Sequence, residues 1–315
     1  MIGLFVTVAI KGKWKAALPF IIALFVFCGV AMFFSPLMSF IKSFEEIISL
    51  SDLESLGTDK PLLSVLVLAL FFGSIIFAFV STATKKKRDK RKIQDEFKKQ
   101  ENNRIYEYHN SEYYKQTRIP YEYLLNDRGK MGEFLIYLSL KNKVSENSRF
   151  LFNLYLPKDN GETSEIDVLL IDSTGLYVFE SKNYNGWIFG SPTMLKWTQE
   201  FGNKEKHRFY NPILQNKKHC EVLSSTIGIS RQTIFSFIVF GDDCTFRTEL
   251  NDTKEYRILF MQELPIDVPQ IIASKPQVLS SDDIQSIFNQ LYPFTQVSDE
   301  VKEKHKEDIL EEYVN

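Results

Sequence analysis

Cysteine is scarce. The three in 315 residues, Cys28, Cys220 and Cys244, have no spacing that suggests a disulfide framework or a paired zinc-ligand motif. Their use fits a reducing compartment. The chain also has no Walker-type phosphate loop, no G-x-G-x-x-G and no Gly-x-Ser-x-Gly, so nucleotide hydrolysis and serine-hydrolase chemistry have no support. An excess of positive charge is missing too. With 38 Lys and Arg against 40 Asp and Glu, the net charge is -2, and bulk charge does not by itself argue for a polyanionic partner.

These averages hide unlike segments. Residues 16–41 and 61–84 contain no charged side chain, and each is long enough to span a bilayer at about 20 residues per crossing. Lys11, Lys13 and Lys15 precede the first stretch and KKKRDKRK, Lys85 to Lys92, follows the second, while the segment between them is net acidic. The positive-inside rule then places both termini in the cytoplasm around a small external loop, as a two-helix transmembrane hairpin in an inner or plasma membrane. A cleaved signal peptide is the rival for the first stretch and a buried core hairpin the rival for both; their length and lack of a polar stripe favour spans. With no ionisable residue in either, the pair is expected to anchor rather than conduct. The expected organisation is a cytoplasmic N-terminus (1–15), the two spans (16–84), a basic helical linker (85–127), a soluble domain (128–295) and a charged tail (296–315), frayed or disordered.

Within the soluble part, TSEIDVLLIDSTGLYVFESKN, Thr163 to Asn183, reads as a β-hairpin turning at Asp172-Ser173-Thr174-Gly175. With a two-residue loop, Asp167 lies opposite Glu180 and Glu165 opposite Lys182. Alternation puts Glu165, Asp167, Glu180 and Lys182 on one face and Ile166, Val168, Leu170, Tyr177 and Phe179 on the other, which should meet the core. Carboxylates facing each other across a strand pair at roughly 5 Å repel. A hard divalent cation would relieve that repulsion, and Mg²⁺ often takes only one or two carboxylates, leaving positions for water and phosphate. A solvated face with a cross-strand ion pair is the plainer alternative.

Asp167 followed by Glu180-Ser181-Lys182 resembles the core of the restriction-endonuclease-like superfamily of Mg²⁺-dependent nucleases. Together with Gly132-Glu133, Glu165-Ile166-Asp167, Gly175, Asn183, Gly186, Trp197 and Asn211-Pro212-x-x-Gln215, the set is similar to the nuclease-related domain family, NERD, over roughly residues 128–240. The resemblance implies an α/β fold with a mixed sheet flanked by helices. It also implies hydrolysis of nucleic-acid phosphodiesters, DNA being the expected polymer, with Mg²⁺ or alternatively Mn²⁺. Asp167 and Glu180 would hold the metal, Lys182 would stabilise charge, and Glu133 and Gln215 would complete the catalytic set. A catalytically inactive nucleic-acid- or protein-binding module at the membrane is the alternative.

The remaining pattern frames this core. Residues 149–156, 233–240 and 255–261 read as further strands, 132–140, 211–222 and 281–292 as helices, and 187–189 and 194–199 as short strands. The aromatics of 183–199 are expected in packing rather than on bases. His219, four residues after Gln215, is expected as a partly exposed helix residue.

Overall fold

The computed structural model describes residues 61–248 and 250–314. Contacts divide the chain into two units, 1–101 and 102–315. In the second, a five-stranded sheet has the order β1 (Arg149–Pro157), β2 (Thr163–Asp172), β3 (Gly175–Lys182), β7 (Ile234–Phe240) and β9 (Tyr256–Phe260). The strands β1, β2 and β3 pair antiparallel, whereas β3, β7 and β9 run parallel. The fold is therefore α/β with a mixed sheet, and helices flank it.

The hairpin register is set by its turn. Asp172 pairs with Gly175, and the ladder continues through Val168 and Phe179. The Asp172 carboxylate accepts from the Thr174 N–H at 3.0 Å and from Ser148 Oγ at 2.7 Å, a turn in which the side chain substitutes for backbone. Gly175, at φ +139°, lies so close to Thr233 O that no Cβ fits.

Both faces of this sheet are buried, which corrects the expectation of one apolar and one polar face. Val168, Leu170, Tyr177 and Phe179 pack with α4 (Arg128–Leu140) and α6 (Leu264–Ala273). Leu169, Ile171, Leu176 and Val178 pack with α5 (Pro212–Ile227) and α7 (Ser281–Leu291). Ile166 belongs to the second cluster, not to that of Val168. Its β1 partner Leu154 changes sides in the same way relative to Phe152. Asn153 stands between them at φ +52°, a left-handed conformation that Asn tolerates and that reverses the alternation. Simple period-two counting fails at this residue.

A second sheet, in the order β6 (Lys206–Tyr210), β5 (Lys196–Glu200), β4 (Gly186–Phe189) and β8 (Cys244–Phe246), covers the end of β7 through Trp197, Phe209, Ile238 and Phe240. Strands β6 and β8 were not foreseen, the first being largely polar and the second only three residues long. Trp187 and Phe189, expected in packing, are exposed on either side of buried Ile188. Helix α6 was hidden by Pro265 and Pro269, the latter inside the helix.

Residues counted as linker or tail join the core. Tyr108, Tyr113 and Leu124 are buried within it, carried by the end of α1 (Pro61–Asn110), by α2 (Glu112–Thr117) and by α3 (Tyr121–Asn126). Residues 299–314 form α8 (Asp299–Val314). Its His305 is 6 % exposed and packs edge-on against Tyr155.

Of the expected transmembrane hairpin, residues 16–41 lie outside the described residues. Residues 61–84 are helical within α1, whose side chains are described from Gly73 onward. Among the described residues no helix is long and apolar enough to cross a membrane.

Helix α4 meets the C-terminal end of β3 at Gly132. A Cβ there would collide with Ser181 Oγ and stand 2.8 Å from Asn183 Cβ. Gly132→Ala is therefore expected to destabilise the domain by about 1–3 kcal/mol through overpacking, measured as a lower urea midpoint with unchanged slope.

Candidate active site

The site forms where the hairpin ladder opens. Beyond the Val168–Phe179 pair, β2 stays with β1 (Glu165 opposite Tyr155) and β3 stays with β7 (Glu180, Ser181 and Lys182 opposite Ile238, Val239 and Phe240). Asp167 bridges the opening, its Oδ2 accepting from the Ser181 N–H at 2.8 Å. The expected pairing of Glu165 with Lys182 is corrected, because the divergence carries Glu165 away. Its Oε1 instead accepts from Tyr155 OH at 2.8 Å and lies 3.5 Å from Lys130 Nζ, and its Oε2 lies 3.6 Å from His305 Nε2.

Glu133, Asp167, Glu180, Lys182 and Gln215 all line one cleft of about 600 Å³. Glu133 arrives from α4 and Gln215 from the first turn of α5. The start of α5 is held by fully buried Asn211, whose side chain caps the Ile213 N–H at 3.0 Å and donates to Met194 O at 2.7 Å. One turn on, Asn216 donates to Val178 O and Phe237 O, tying α5 across β3 and β7.

Lys182 Nζ donates to Glu180 Oε1 at 2.6 Å and to Gln215 Oε1 at 3.2 Å. Burial opposes ionisation of both charged partners, yet their mutual attraction prevails. The Lys182 amine is pushed above its ordinary value, chiefly by Glu180, and the Glu180 carboxyl is held below its own by Lys182 and His219.

Asp167 behaves oppositely. Burial, then the negative charges of Glu180 and Glu133, raise its carboxyl well above the ordinary 3.8, against the pull of Lys182. Burial also raises Glu133, 4 % exposed, to about 7, although Lys130 Nζ donates to it at 2.8 Å and Tyr113 OH at 3.0 Å.

Asp167, raised by burial and by the negative charge of Glu180 and Glu133, marks a place where positive charge is short. Buried Glu180 Oε2 accepts no hydrogen bond, although His219 Nε2 is 3.3 Å away. Asp167 and Glu180 thus fit a hard cation that needs two carboxylates and fills its remaining positions with water and phosphate oxygen. Among the described residues no group of three or more His, Cys, Asp or Glu could hold a metal, so a closed all-protein cage has no basis.

His219, Lys130 and Tyr113 were missed as site residues. His219 is 7 % exposed rather than partly solvated, with Nδ1 2.6 Å from Ser164 Oγ. Its spacing from Gln215 was the available signal. Lys130 had only its place three residues before Glu133, and Tyr113 had no signal, since its approach to Glu133 is a tertiary contact.

The Glu133 shift fixes a sign. A carboxyl whose folded pKa exceeds its unfolded value favours folding fully below the unfolded value, and that contribution is lost as pH rises from 4.5 to about 7. Over this window wild type is expected to lose about 3 kcal/mol relative to Glu133→Gln. Urea unfolding at pH 4.5 and 8, followed by Trp fluorescence, measures the difference.

Residues 128–241 match the nuclease-related domain family, NERD. The chain is 31 % identical over 179 residues to an uncharacterized protein of Bacillus anthracis, a match covering 56 % of this chain and 82 % of that one. With the matched segment reaching from α4 to the end of β7, this chain belongs to the nuclease-related domain family.

Proposed function

We propose that the domain is a divalent-metal-dependent nuclease of restriction-endonuclease-like architecture that hydrolyses phosphodiester bonds of nucleic acid. The observation that carries this reading is the clustering of Asp167, Glu180 and Lys182 at the open end of the β2–β3 ladder, in a cleft with Glu133 and Gln215. Asp167 and Glu180 would hold Mg²⁺ or Mn²⁺. When bound, such an ion supplies a Lewis acid for the phosphate and lowers the pKa of water.

The chain's own groups do the rest. Lys182, fixed between Glu180 and Gln215, directs its ammonium at charge growing on the phosphate oxygens. Gln215 keeps its amide N–H₂ for a water or a phosphate oxygen. Glu133, with a carboxyl near pH 7, takes the proton of the attacking water, and Lys130 and Tyr113 hold it at the cleft wall. Placing this chemistry at the cytoplasmic face of a lipid bilayer completes the proposal. The uncharged runs 16–41 and 61–84 support it, as do the basic run that follows and exposed Ile76, Phe77, Phe79 and Val80 on α1.

Two outcomes are expected. The full chain cleaves DNA oligonucleotides in Mg²⁺ or Mn²⁺ but not in EDTA, and Asp167→Ala or Lys182→Ala lowers the rate by about 10²–10³; equal rates for wild type and variants would remove the assignment. In cells, the full chain sediments with membranes and resists an alkaline wash, whereas a chain lacking residues 1–84 stays in the supernatant. Release of the full chain by that wash would refute the anchor.

A further inference from the structure

The second sheet has an outer face that the chemistry of the cleft leaves unused. Alternation along β4 buries Ile188 and puts Trp187 and Phe189 on the other side, 39 % and 36 % exposed. Strand pairing orders this face into rows. Phe189 lies opposite Thr198 of β5, which lies opposite exposed Arg208 of β6. On the other flank β8 pairs with β4 at Phe246 and Ile188, and the next residue, Arg247, holds its guanidinium over the Trp187 ring, 4.6 Å from the centroid.

The shape and charge of this face select its occupant. The Phe189 ring and the guanidinium stacked on Trp187 are planar groups of the kind on which unpaired bases stack. Trp187 and Phe189 are two strand residues apart, about 7 Å. That is twice the ~3.4 Å rise per base of duplex DNA, so bases resting on both have left a regular stack. Charge suits the phosphates between them. Arg208 and Arg247 flank the Phe189 row, which contains no carboxylate, and Glu200 in the neighbouring row is held by Lys206 at 3.0 Å.

The face also leads to the reaction centre. Two residues along β5 and β6 from Thr198 and Arg208 stand Lys196 and Tyr210, paired with each other, and both line a cleft that Asp167 and Gln215 also line. A strand leaving Asp167 on that side meets the Phe189 row within about 7 Å of the Lys196 row.

We propose that this outer face is a platform for a single strand of nucleic acid. It holds nucleotides beyond the scissile phosphate by stacking on Phe189 and on the Arg247–Trp187 pair, and by a contact from Arg208 to phosphate. The proposal rests on the nuclease reading and adds where the polymer lies outside the cleft and in what form.

The experiment titrates the full chain into a fluorescent single-stranded oligonucleotide, and into a duplex of the same sequence, and follows anisotropy in EDTA. Trp187→Ala/Phe189→Ala is expected to weaken single-strand binding about a hundredfold, about tenfold for each lost stack, and to leave duplex binding little changed. Trp187→Phe/Phe189→Tyr keeps both rings and should bind the single strand like wild type, which separates lost stacking from lost fold. Arg208→Ala should lower the slope of log affinity against log salt by about 0.7, one phosphate contact on a single strand, and Arg208→Lys should restore it.

Unchanged single-strand affinity in the alanine double variant, an equal loss on duplex, or an unchanged salt slope in Arg208→Ala overturns the platform. So does a wild-type chain that binds no single strand. Self-association lost in the alanine double variant while its single-strand affinity stands, read by sedimentation velocity, overturns it in favour of a contact between copies of the chain. The nuclease reading fails separately: a wild-type chain that binds the strand as expected in EDTA but cleaves nothing in Mg²⁺ or Mn²⁺ keeps the platform and loses the nuclease.

Discussion

One broken pair of ladder hydrogen bonds organises this molecule. The β2–β3 ladder stops after Val168 and Phe179, and where the next pair would form, Asp167 takes the Ser181 N–H through its side chain. A buried N–H cannot be left unpaired, so the carboxylate keeps the two strands together while they separate toward different neighbours. The separation makes a cleft in which Asp167, Glu180 and Lys182 face a common space instead of lying flat on a sheet. Asn153, opposite Asp167 on β1, adopts its left-handed turn at the same level, so β1 and β2 change sides together.

Around that opening the helices carry charge into a buried setting. α4 reaches β3 because Gly132 has no side chain to hold it off, which sets Glu133 beside Asp167. α5 is tied down by Asn211 and Asn216, which sets Gln215 and His219 beside Lys182 and Glu180. The cost appears in the carboxyls. Glu133 and Asp167 are both driven toward protonation by burial and by neighbouring negative charge. A protein built for stability alone would not keep them together. Retaining destabilising charge at a cleft is the trade that binding sites make.

Much of this was legible in the chain itself. The turn Asp172-Ser173-Thr174-Gly175 and the β-prone runs on either side specify the hairpin register, which agrees through five pairs from Asp172–Gly175 to Val168–Phe179. β7 and β9 were readable as runs of Ile, Phe and Val, and α5 from Asn211-Pro212. The second sheet was not readable, because β6 buries one side chain fully and β8 is three residues long. The role of 102–127 was hidden as well, since scattered tyrosines in a polar stretch have no periodicity although Tyr108 and Tyr113 end in the core.

The sequence by itself determined the local facts: the turn, the alternation along each strand up to Asn153, the caps of the helices, and therefore that Asp167, Glu180 and Lys182 would be near one another. These depend on residues a few positions apart and on backbone geometry that every chain shares. Tertiary structure alone decided that the ladder opens at Asp167, that Glu165 turns to Tyr155, Lys130 and His305, and that His219 is buried against Glu180. Such outcomes depend on which strand claims which neighbour and how closely a helix can approach. Packing and electrostatics over long sequence separations settle both, and leave no periodic mark in the sequence.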